Sequence, residues 1–185
     1  MSLIPNILRS FVILIVFTLL LGIAYPLILA GIGKLAFPKQ ANGSLIERNG
    51  IVIGSSLISQ DFIQDKYFHG RPTNSDSSNA PLSKVMLDRI SDRVKTFQVY
   101  NLQQGNPVPV NLITDSGSTL DPDISPEAAY YQIPRISRAT GITADKLKTL
   151  IDSQTQDRFL MLYGQKRVNV LLLNLELNTL LHVKK

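Results

Sequence analysis

The sequence predicts an α+β domain held to a membrane by one N-terminal helix. Three features predict it: an uncharged apolar run from Phe11 to Gly33, short strand-like runs set off by glycine turns, and amphipathic helical stripes that do not alternate regularly with the strands. On this reading residues 1–39 carry the span, at about 11–33, and residues 40–185 form one soluble domain.

The span comes first. About 20 apolar residues cross the hydrocarbon core of a bilayer, and this run supplies them between Arg9 and Lys34. It is longer than the apolar region of a signal peptide, and Ile28 and Ala30 make a poor cleavage site. Pro26 is expected to kink the helix, which a membrane helix tolerates when local adjustment satisfies the freed carbonyl. Gly22, Pro26, Ala30 and Gly33 are spaced to fall on one face, with Phe17 and Ile28 opposite. Small residues let two membrane helices approach closely, so this seam is a candidate partner contact.

Asn42-Gly43 reads as a turn into a first strand around Leu45, and Asn49-Gly50 as the turn of a hairpin to Ile51–Gly54. Ser55 to Phe68 is mixed, and Thr73 to Ala80 has loop composition. Pro81 opens a helix whose stripe is Leu82, Met86, Ile90, Val94 and Phe97. Pro107 to Thr114 alternates like an edge strand. Ser125-Pro126-Glu127 starts a helix, Pro134 limits it and Gly141 ends it. Thr143 caps another helix with Leu147, Leu150 and Ile151 inside. Phe159–Tyr163 and Arg167–Leu173 read as a strand pair across Gly164-Gln165, and the spacing of Leu171 to Leu181 also suits a helix.

Of the net charge of +5, Arg9, Lys34 and Lys39 beside the span account for three, which anionic lipid attracts. The domain keeps little excess, so no nucleic-acid partner is expected. No cysteine is present, which excludes disulfides, thiolate metal sites and a cysteine nucleophile. No phosphate loop, dinucleotide fingerprint, Gly-x-Ser-x-Gly elbow, phosphorylatable Asp-Lys-Thr-Gly-Thr or Thr-Val-Gly-Tyr-Gly filter occurs. Asp115, Asp121 and Asp123 lack calcium-loop spacing, and His69 and His182 lie far apart for a metal pair. No catalytic residue and no metal site are therefore expected. His69 and Arg71, in a run of aromatics and proline, could form a structured turn in which Gly70 supplies unusual dihedrals and Arg71 bonds carbonyls. They could also grip a partner or an anion.

Five runs together resemble one family: Gln40-Ala41-Asn42-Gly43-Ser44-Leu45-Ile46 just after the span, Tyr67-Phe68-His69-Gly70-Arg71-Pro72, Leu120-Asp121-Pro122-x-Ile124-Ser125-Pro126, Gln132-Ile133-Pro134-Arg135, and Val168-Asn169-Val170-Leu171-x-Leu173-Asn174-Leu175. In order and over nearly the whole chain, they resemble the KdpC subunit of the Kdp potassium-transporting ATPase. The family's loop after Arg-Pro is usually longer than Thr73–Ala80.

The resemblance implies a single-pass accessory subunit without catalytic activity, in the inner or plasma membrane, with its N-terminus cytoplasmic and its domain outside. Its implied partners are the pore-forming, ATP-hydrolysing and small peptide subunits of the complex, besides the lipid bilayer. It also implies a proposed role as a catalytic chaperone that raises the pump subunit's affinity for ATP, with Gln132 as the nucleotide contact and no firmly bound cofactor. Two other readings of the sequence are a membrane-anchored envelope enzyme or ligand-binding domain using His69 and Arg71, and a nucleotide-binding protein at the cytoplasmic face.

Overall fold

A computed structural model describes residues 3–48, 50–73, 83–103 and 105–183. The chain divides into two units, Met1–Ser55 and Ser56–Lys185.

In the first unit, helix α1 (Leu3–Leu19) runs through a wide turn, Leu20–Ala24, into α2 (Tyr25–Ala36). Asn6–Ala36 is one apolar helix of 31 residues, about 46 Å long at 1.5 Å per residue, which exceeds the hydrocarbon core. The local adjustment expected at Pro26 is this wide turn. The Tyr25 N–H reaches back five residues to the Leu20 carbonyl, so the register slips just ahead of the residue that has no N–H to give. A single helical turn, α3 (Pro38–Ala41), precedes the Asn42-Gly43 turn. The expected hairpin follows as β1 (Leu45–Arg48) and β2 (Ile51–Ser55), antiparallel with a bulge between Ile46 and Glu47. The Ser55 hydroxyl closes its base on the Gly43 carbonyl at 2.7 Å.

The second unit is built from α4 (Lys84–Tyr100), α5 (Val110–Ile113), β3 (Asp123–Ile124), α6 (Pro126–Tyr131), α7 (Ile133–Thr140), α8 (Ala144–Gln154), β4 (Thr155–Gln156), β5 (Arg167–Asn169) and α9 (Val170–Val183). Its sheet has the order β3-β5-β4, both pairs antiparallel, with Asp123 opposite Asn169 and Thr155 opposite Val168. Phe68, Leu112, Ile124, Ile136, Leu147, Ile151, Val168, Leu173 and Leu177 fill the core. Burying each large side chain contributes about 1.5–3 kcal/mol.

Helix α4 is capped by Ser83, whose hydroxyl accepts from the Met86 N–H, and Pro81 and Leu82 lie outside the described residues. Its stripe from Met86 to Phe97 is half-buried, as its period requires. Ser125 caps α6, and Gly141 ends α7 with φ 67°. Thr143 stands at the cap position of α8, but its side chain makes no cap bond.

Two expected strands are absent. Pro107–Thr114 is an irregular stretch closed by the single turn α5, because two prolines withhold ladder donors and the turn buries Leu112. There Asn111 accepts from the Ser125 N–H through Oδ1, tying the turn to α6. Phe159–Tyr163 is an exposed tight loop rather than a strand, its two ends bridged to each other. The strand expected over Arg167–Leu173 stops at Asn169, because Asn169 Oδ1 accepts from the Leu172 N–H and caps α9. Leu171–Leu181 is thereby helical.

Candidate functional site

The extended run Tyr67–Arg71 threads between α4, α7 and α9 and is held residue by residue. Asn174, fully buried on α9, accepts from the Phe68 N–H at 2.8 Å and donates to the Phe68 carbonyl at 2.9 Å. Gln132, in the corner between α6 and α7, does the same to the next residue. It accepts from the His69 N–H at 2.8 Å and donates to the His69 carbonyl at 3.0 Å. Consecutive residues of an extended chain present their backbone groups to opposite sides. Two side-chain amides thus stand in for two neighbouring strands.

The second Gln132 proton goes to the Ala128 carbonyl, and its oxygen also accepts from Arg135 at 2.7 Å. An amide offers two donors and two acceptor positions, and all four are filled here by the chain itself. Gln132 is 0% exposed.

Arg135, 4% exposed, is the hub. It donates to Asn101 Oδ1 at 2.9 Å, to the Tyr67 carbonyl at 2.9 Å, to Gln132 and to the Asp65 carbonyl. Tyr100 lies under its guanidinium at 4.9 Å. These partners are neutral oxygens and a ring face, so the charge is spread over several charge-assisted bonds, each contributing about 1.5–3 kcal/mol. Burial lowers the Arg135 pKa, and Tyr100 and Asp65 oppose that shift. The Tyr100 hydroxyl donates to Asp65 Oδ1 at 2.6 Å, and its pKa rises through burial and that bond.

The His69 ring lies beside Tyr100 at 5.5 Å, with Nε2 3.3 Å from the Gln64 carbonyl. Its pKa falls from 6.5 to about 4, first because burial disfavours the cation and then because Arg135 is near. A neutral imidazole donates from Nε2 to Gln64. Gly70 has no left-handed backbone, contrary to expectation. A Cβ there would meet Ser59 Oγ at 3.6 Å and Val170 Cγ2 at 3.9 Å, which is ordinary contact.

Arg71 bonds carbonyls as expected. It reaches Asp115 O at 3.0 Å and Thr114 O at 3.5 Å, and pairs with the Asp121 carboxylate at 3.2 Å. Asp115 is itself paired with Arg89 and Arg93, and Asp123 with Arg167. The three aspartates are therefore taken by arginines, and the described residues hold no cluster of three or more metal-ligating side chains. His69 and Arg71 share the lining of a cavity of about 220 Å³ with Asp61, Phe62 and Phe97, but their side chains bond to different elements.

The four seam residues lie in the first unit. Gly22 sits inside the wide turn, where a Cβ would meet nothing within 4 Å. Pro26 and Ala30 are exposed along α2, and Gly33 is approached by Ala41 of the same chain, 3.9 Å from where its Cβ would stand.

Sequence reasoning singled out Gln132, His69 and Arg71 and missed Arg135, Asn101, Asn174 and Tyr100 as their partners. The spacing of Gln132 and Arg135 by three on either side of a helix start was a usable signal. The partnership with Asn174, 106 residues from Phe68, left none.

A family model described as "KdpC: K+-transporting ATPase, c chain" matches residues 7–179. The chain is 46% identical over 191 aligned residues to the potassium-transporting ATPase KdpC subunit of Rhodopseudomonas palustris strain BisB5, covering 91% of this chain and 94% of that one. It is 45% identical over 191 residues to the subunit of the same name from Bradyrhizobium diazoefficiens, with the same coverage. The corresponding subunit of Methylorubrum extorquens is 44% identical over 190 residues, covering 91% of this chain and 94% of that one.

Proposed function

Because the chain belongs to the KdpC family, we propose that it is a non-catalytic accessory subunit of an ATP-driven potassium import complex, anchored by one span and stabilising the assembly. The observation that carries the non-catalytic part is the junction around Tyr67–Arg71, where Gln132, Asn174, Arg135 and Arg71 bond to backbone groups and side chains of the chain itself. Its partners are the pore-forming, ATP-hydrolysing and small peptide subunits of the complex and the bilayer. The seam of Gly22, Pro26, Ala30 and Gly33 contacts a transporter helix, with Gly33 already shared with Ala41. Its N-terminus is cytoplasmic and its domain lies outside, so a reporter active only in the cytoplasm, fused after Lys185, stays silent.

The chaperone role, in which the subunit raises the pump's affinity for ATP, is a finer reading that rests on the family. The full occupancy of the Gln132 amide supports a version in which Gln132 holds the fold and any effect on ATP is transmitted through the assembly. Adding the full chain to a preparation of the other subunits tests both parts. It should restore potassium-stimulated ATP hydrolysis while showing no ATPase activity alone. Activity by the isolated chain that disappears with Gln132→Ala would support the nucleotide-binding alternative instead.

A further inference from the structure

The exposed loop Phe159–Tyr163 has no role in the junction, and its make-up is unusual. Five consecutive apolar side chains face solvent, with Met161 87% exposed. Leu160 and Met161 take left-handed backbone, φ 51° and 62°, which bulky side chains seldom adopt without reason. Four of the loop's five backbone N–H groups are paired within residues 158–163: Phe159 N–H to the Tyr163 carbonyl at 2.9 Å, Tyr163 N–H to Phe159 at 3.0 Å, Leu162 N–H to Phe159 at 3.1 Å, and Met161 N–H to Arg158 at 3.1 Å. Pairing most of its donors internally lowers the cost of leaving bulk water, which suits a loop seated at the headgroup level rather than in the hydrocarbon.

The order of side chains fits the same surroundings. Phe159 and Tyr163 are bridged side by side at the base, where aromatic rings suit the headgroup level, and Leu160, Met161 and Leu162 form the apex. Behind them stand the exposed cations Arg158, Lys166 and Arg167, of which Lys166 and Arg167 pair with Asp157 and Asp123. With both pairs counted, Arg158 is left as one positive charge in excess beside the loop, complementary to anionic headgroups.

We propose that the Phe159–Tyr163 loop is a second membrane contact of this chain, seated in the interfacial layer with its cations on anionic headgroups. This rests on the chain being membrane-anchored and not on which subunits it joins.

The chain has no cysteine, so one introduced thiol reports cleanly. Met161→Cys, or Leu162→Cys as a second probe of the apex, is labelled with an environment-sensitive dye, as is Lys148→Cys on α8. Each full chain is reconstituted alone into vesicles of phosphatidylcholine and phosphatidylglycerol carrying bromines on the acyl chains. Quenching at the apex should exceed that at position 148 by about twofold or more, as expected for a loop reaching the acyl boundary. It should fall by about half in pure phosphatidylcholine. Equal quenching at the apex and at 148 would overturn the proposal. So would protection of the apex that appears only when the other transporter subunits are added, since that would make the occupant a protein. Indifference to lipid charge would overturn the headgroup part.

Discussion

Gln132 and His69, 63 residues apart, pair as two strand residues would, one through its side chain and the other through its backbone. Asn174 repeats the arrangement on Phe68. The run between them is thereby fixed without belonging to any sheet, and this places Tyr67 against α9 through its hydroxyl bond to Asn178 at 3.0 Å.

Gln132→Ala should destabilise the full chain by about 2–4 kcal/mol, because it strands the backbone groups of His69 and removes an acceptor from Arg135. Asn174→Ala should cost about 2–3 kcal/mol for the same reason. Urea denaturation followed by far-ultraviolet circular dichroism measures both. The double variant should deviate from additivity by about 0.5 kcal/mol or more, since the two amides hold one segment. Strict additivity would mean that each clamp acts alone.

Gly70→Ala should change stability by less than about 1 kcal/mol, since the added methyl meets ordinary contacts in allowed backbone. The same denaturation curve checks it. A large loss would point to a conformational demand on Gly70 that its dihedrals do not show.

His69 makes stability depend on acidity. Its folded pKa, about 4, lies below the unfolded value of 6.5, so below pH 6.5 the unfolded chain takes up a proton that the folded chain refuses. The stabilisation is complete above that value and is lost as the pH falls towards about 4. His69→Gln, which keeps a donor for the Gln64 carbonyl, should flatten this part of the profile of denaturation midpoint against pH. An unchanged slope would assign the acid sensitivity to other groups.

The seam has its own test in the span. Gly22→Leu with Ala30→Leu should reduce recovery of the partner subunits several-fold in mild detergent, because bulk on that face keeps two helices apart. Phe17→Leu with Ile28→Leu should leave recovery unchanged. Equal behaviour of the two pairs at equal expression would leave the binding to the domain.

What the sequence revealed was local. Ser125-Pro126-Glu127, Gly141 and the hairpin around Gly50 are short-range chemistry, and they stand where the residues put them. What it concealed depends on distant partners. Arg167–Asn169 becomes a strand only because Asp123-Ile124 and Thr155-Gln156 flank it, and Asn169 ends it by capping α9. Phe159–Tyr163 has the composition of a strand, but among the described residues its two ends are bridged only to each other. The junction was half legible: Gln132, His69 and Arg71 stood out, while Arg135, buried among neutral oxygens, looked like an ordinary helix residue.

A chain that works, as proposed, as one subunit of a potassium-transporting assembly should bring that assembly with it. The most direct measurement is purification of the tagged full chain in mild detergent from cells making the whole transporter, followed by an ATPase assay with and without potassium. The large membrane subunits should elute with it, and the potassium-stimulated activity should reside in the assembly. A chain that elutes alone, while the transporter remains intact and fully active without it, would rule out the subunit role.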